Sequence, residues 1–129
     1  MKSKPNNVIR IPCKLETFFR YWLAFLSPFH SLTSREIDIA SAMLLKRYQL
    51  SKAISKPDIL DMTVMGENVQ REIREEFGIT GPHYQQIKNK LKEKGFIVDK
   101  RINKRLIPNI KEENGVFQLL LVFEYNDDE

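Results

Sequence analysis

The chain has 129 residues, one domain's worth and long enough for a sizeable core, and its 42% hydrophobic and 29% charged content belongs to an ordinary soluble globular protein. Its formal net charge of +4 is too mild to argue for nucleic acid alone, and a single cysteine, Cys13, excludes an internal disulfide and suits a reducing compartment. The longest apolar run, Phe18 to Leu26, is broken by Arg20 and falls far short of the roughly 18 residues a membrane span needs, so no membrane partner is expected.

The distribution of charge says more than its total. Residues 86 to 111 hold nine Lys or Arg against Glu93 and Asp99, a net +7, whereas residues 112 to 129 hold six carboxylates and no base, a net −6. A basic block beside an acidic stretch implies a polarised surface, and such a field steers anionic partners.

Residues 1 to 13, with Lys2, Lys4, Pro5, Arg10 and Pro12, read as a flexible basic arm rather than a secretory signal. In "LETFFRYWLAFLSPF" the residues Leu15, Phe18, Phe19, Trp22, Leu23 and Leu26 recur at helical spacing, which predicts an aromatic helix over 14–29 closed by Ser27-Pro28. Its stripe either lies on the core or forms a partner interface, a homodimer or another protein, through Phe18, Tyr21, Trp22 and Phe25.

The next helix starts at a capping box, Thr33 with Glu36, and places Ile37, Ala40, Leu44 and Tyr48 on one face. Ser55, Pro57 and Asp58 open a short helix that Gly66 stops, with Asp58 and Asp61 expected at its start and surface. From Glu67 to Phe77 a further helix carries Val69, Ile73 and Phe77 on one side, and Gly78 stands where a left-handed residue ends a helix. Thr80 caps the following helix, Pro82 sits near its first position, and Gly95 stops it after Lys94. "FIVDKRINKRLIPNI" and "GVFQLLLVFEY" read as the two strands of one hairpin across the turn Lys111 to Gly115, with Pro108 at an edge or bulge and the last strand apolar on both faces.

On the helix after Thr80 the seam is Tyr84, Ile87 and Leu91, so Gln85, Gln86, Asn89 and Lys90 face away from it. Gln and Asn amides bond adenine in the major groove, and Lys reaches guanine or phosphate, so these four are the candidate base-facing residues. Thr80, His83, Lys88, Lys92, Lys94, Lys100, Arg101, Lys104 and Arg105 are the candidate phosphate contacts, from the helix start, its flanks and the hairpin.

Residues 70 to 89 resemble the helix-turn-helix pattern, with Ile73, Phe77, Gly78, Ile79, Tyr84 and Ile87 at its apolar and turn positions. "KLKEKGFI" leading into a hairpin resembles the exit from the reading helix of winged-helix proteins. The resemblance implies an α+β fold: a winged helix over 14–125, with the helix-turn-helix at 67–95, the β wing at 96–125, the additional N-terminal aromatic helix, and an acidic tail at 126–129. It also implies a partner, double-stranded DNA. Arg74 departs from the pattern, which wants a small residue there for the helices to cross. "FFRYWLAFLSPFHSLTSREIDI" is similar to small proteins of tailed bacteriophages of the crAss-like group. That implies a regulator, a packaging or replication accessory, or a virion or assembly protein, located in host cytoplasm or virion.

Catalysis has little support in the sequence. His30 and His83 have no Cys or carboxylate at ligand spacing, no nucleophile–base pair stands out, and each glycine falls at an element boundary rather than in a phosphate-cradling loop. No enzyme, metal or cofactor is expected.

Overall fold

The computed structural model describes residues 10–113 and 116–118. The first nine residues of the expected arm, the acidic tail 126–129 and the distal part of the last expected strand lie outside the described residues. The protein is α+β, with six helices and two separate two-stranded antiparallel sheets among the described residues.

Helix α1, Leu15–Phe25, buries Phe19 and Leu23 and packs on α3. The break expected at Ser27-Pro28 instead opens a single-turn helix, α2, Ser27–His30, because proline's fixed φ suits a first helical turn; Ser31 at φ 55° ends it. Helix α3, Ser34–Ser51, begins on the expected box: the Glu36 N–H donates to Thr33 Oγ1 at 3.3 Å, and the Thr33 N–H donates to Glu36 Oε1 at 3.0 Å. It is the hub, touching α1, α4, α5 and α6. Ala40 and Leu44 are buried as expected, and Ile39 and Met43 are buried beside them, while Ile37 and Tyr48 are only half-buried. A helix enclosed on several sides does not show one clean stripe.

Helices α4, Pro57–Val64, and α5, Glu67–Glu76, meet at Gly66. Asp61 is buried and paired with Arg47 of α3 at 3.0 Å, which corrects its reading as a surface carboxylate. Helix α5 ends in a Schellman motif: the N–H groups of Ile79 and Gly78 donate to the carbonyls of Arg74 and Glu75, both at 3.1 Å, with Gly78 at φ +61°. Helix α6, Gly81–Glu93, closes in the same way, with Phe96 donating to Leu91 and Gly95 at φ +83°. Only glycine enters that region without steric cost, so these two positions set where both helices stop. Phe96 and Leu91 are fully buried in the core, each contributing roughly 2–3 kcal/mol of hydrophobic stabilisation.

The β region differs from the expected single long hairpin. Strands β1, Ile97–Val98, and β2, Arg101–Ile102, pair Ile97 with Ile102 across the two-residue turn Asp99-Lys100, whose residues both have positive φ (53° and 63°). This is the tight primed turn that matches strand twist, made here without glycine. A 3-10 turn, Lys104–Leu106, follows. A second hairpin then joins β3, Lys111–Glu113, to β4, Val116–Gln118. Pro108 lies in neither strand, and Lys111 is in a strand rather than a turn. Among the described residues no helix is long and apolar enough to cross a membrane.

Candidate nucleic-acid interface

Helix α6 is fixed on its inner side by Tyr84, Ile87 and Leu91, all buried. The Tyr84 hydroxyl donates to Gln70 Oε1 at 2.5 Å, and Gln70 Nε2 donates to the Val64 carbonyl at 2.8 Å. This buried polar chain joins the end of α4 to α5 and α6, and burial pushes the Tyr84 phenol above its ordinary range against the opposing charge of Arg74. Thr80 caps the helix as expected, its Oγ1 accepting from the His83 N–H at 3.3 Å.

With the inner side so fixed, Gln85, Gln86, Asn89 and Lys90 are all exposed on the outer side. Gln85 Nε2 donates to Asn89 Oδ1 at 3.1 Å, one turn away, and Lys90 pairs with Glu93 at 3.2 Å. Both are surface contacts worth a few tenths of a kcal/mol, readily exchanged for a partner's groups. His83 and Lys92 are also exposed. Lys88 is half-buried, its amine 5.9 Å from the centre of the Tyr84 ring; burial, then the charge of Lys92, lowers its pKa.

Two expected phosphate contacts are committed elsewhere. Lys94 turns inward: its amine lies 2.6 Å from Glu36 Oε1 and donates to the Ser31 carbonyl at 3.1 Å. Burial alone would raise the Glu36 carboxyl, but the hydrogen bonds from Lys94 and Thr33, with the Lys94 charge, outweigh it and leave the pKa below its ordinary value of 4.5. Arg101 pairs with Asp58 of α4 at 2.9 Å, tying the first hairpin to the helical body. Lys100, at the tip of that hairpin, and Lys104 and Arg105, on the 3-10 turn, are exposed.

The expected partner interface divides. Trp22 Nε1 donates to the Leu106 carbonyl at 2.8 Å, and Phe18 packs edge-on against Phe19 at 5.3 Å, so both are half-buried parts of the fold. Tyr21 and Phe25 stand 53% and 51% exposed, and Phe29, not singled out in the sequence, is 81% exposed.

Sequence reasoning also missed His30 and Asn103. His30 is buried: its Nε2 lies 2.6 Å from the Leu23 carbonyl, and its Nδ1 accepts from the Leu32 N–H at 2.9 Å. Only the tautomer with hydrogen on Nε2 satisfies both. Asn103 donates to the Gly95 carbonyl at 2.9 Å and accepts from the Arg105 N–H at 3.0 Å, holding the hairpin to the end of α6. The signal for Asn103 was its place just before a helical turn, where Asn is a favoured cap. Among the described residues no three His, Cys, Asp or Glu side chains converge as a metal site. No protein-family model matches the chain, and neither a curated protein nor a solved structure matches it.

Proposed function

We propose that the chain is a winged-helix module that binds double-stranded DNA as a regulator or as a packaging or replication accessory. The observation that carries this reading is the outer face of α6. Gln85, Gln86, Asn89 and Lys90 stand exposed in a row on a helix whose opposite side is locked into the core. Amide and amine groups so presented match the donor and acceptor pattern of the major groove. The order α5, turn, α6, hairpin supports the winged-helix assignment, with β1–β2 as the wing. Lys88, Lys92, Lys100, Lys104 and Arg105 flank that face as phosphate contacts, with the N-terminus of α6 at Thr80 and His83. Lys94 and Arg101 position the helix and the hairpin instead, through Glu36 and Asp58.

The test is fluorescence anisotropy of the full chain on random duplexes across salt. Log affinity is expected to fall linearly with log salt, and changing Lys104 and Arg105 to Ala is expected to reduce the slope by roughly one unit per contact. Absence of binding at low salt sinks the proposal.

A second reading is favoured by one specific observation, the exposure of Tyr21, Phe25 and Phe29 on α1 and α2. Three large aromatics open to solvent within nine residues suit a protein contact, as in a virion or assembly protein. Sedimentation of the full chain separates the cases: self-association lost in Tyr21→Ser, together with no duplex binding, would favour this reading.

A further inference from the structure

A cleft of about 330 Å³ opens between α5 and α6, beside the first turn of α6. We infer that it is an anion site for a phosphate group, held by Arg71, Arg74 and Lys88. The inference goes beyond the DNA reading, since the phosphate can belong to a duplex backbone or to a small phosphorylated compound.

Three cationic side chains line the cleft, and the one carboxylate among its lining residues is that of Glu67. That carboxylate is 90% exposed and 3.9 Å from Arg71, whose other bond runs to Asn68 Oδ1 at 3.1 Å. Arg74 and Lys88 are half-buried, and among the described residues neither forms an ion pair. A cation drawn from water without a counter-ion costs free energy, so two facing one cleft are most simply explained by an anion that completes them. The lowered pKa of Lys88 agrees with an amine lacking its counter-charge.

The placement of Arg74 strengthens the case. The helix-turn-helix pattern wants a small residue there, and the structure accommodates the larger one opposite Gly81. Gly81 faces the Arg74 guanidinium, where a Cβ would stand 3.6 Å from Nη1, an ordinary van der Waals contact. Its planar fork suits two oxygens of one phosphate, and the adjoining positive end of the 13-residue α6 adds to the attraction.

The test is an NMR titration of the isotope-labelled full chain with inorganic phosphate, with sodium chloride at matched ionic strength, and with a duplex. Phosphate is expected to move the signals of Arg74, Gly81, Tyr84 and Lys88 to saturation where chloride does not. Arg74→Gln and Lys88→Gln are each expected to weaken that binding roughly tenfold, with melting curves confirming that at least one variant folds. If only the duplex moves these signals and the variants abolish that movement, the phosphate comes from the DNA backbone and the site stands. Saturation by phosphate without any duplex binding keeps the site while the DNA reading fails. If phosphate acts no differently from chloride and the duplex moves only the outer face of α6, the site is overturned and the DNA reading survives.

Discussion

The outer face of α6 and the corner at its C-terminal end are built from the same kinds of residue, with opposite results. On the outer face, the amide of Gln85 meets that of Asn89, Lys90 meets the surface carboxylate of Glu93, and Gln86 is exposed. One turn beyond Lys90, Lys94 meets Glu36 and Ser31, while His30 spans Leu23 and Leu32 and Asn103 holds Gly95. What separates the regions is whether a second element covers them. The start of α3 closes over Lys94, and nothing in the described residues closes over Lys90. A polar side chain under cover must satisfy its bonds within the fold, and one left open keeps them for a partner.

The comparison breaks most visibly at His30. Replacing His30 with Ala removes the partners of a buried carbonyl and a buried N–H, and is expected to cost about 3 kcal/mol in urea unfolding. An outer-face change such as Asn89→Ala should leave that midpoint in place. Equal effects of the two would mean that the corner is not under cover.

Lys94→Ala sharpens the contrast on a single helix. It is expected to destabilise by about 1–2 kcal/mol while leaving the salt slope of duplex binding unchanged, the reverse of Lys92→Ala. Because the folded pKa of Glu36 lies below its ordinary 4.5, its stabilisation is present above that pH and is lost as pH falls through the lower folded value. Thermal melting between neutral and acid pH should show this loss in the wild type, and a smaller loss in Glu36→Gln. The smallest effect is expected at Lys100, held at φ 63°. Lys100→Gly should relieve that strain and raise stability by roughly 0.5–1 kcal/mol, while removing about one unit of salt slope if the tip reaches a phosphate.

The helical frame was legible in the sequence because its signals are local. Thr33 with Glu36, Gly78, Thr80 and Gly95 announced boundaries within a few residues, and the seam of Tyr84, Ile87 and Leu91 followed from spacing alone. The first hairpin was not legible, since Asp99-Lys100 adopts a conformation ordinarily marked by glycine and left no such mark. Nor could spacing tell Lys94 from Lys88 or Lys92, because its partner Glu36 lies 58 residues earlier in the chain. Arg74 stands out in the sequence as a departure from the helix-turn-helix pattern, but only the structure shows the cleft it lines.

The bond from Trp22 to Leu106 has a consequence for the order in which the molecule is made. Eighty-four residues separate donor from acceptor, so at about 5–20 residues per second the ribosome needs roughly 4–17 s after adding Trp22 before its acceptor exists. Through that interval the indole N–H of α1 lacks its final partner. Helix α1 is thus finished only once the chain has reached Leu106. The fluorescence of this lone tryptophan can then serve as a clock for the completion of the newly made chain.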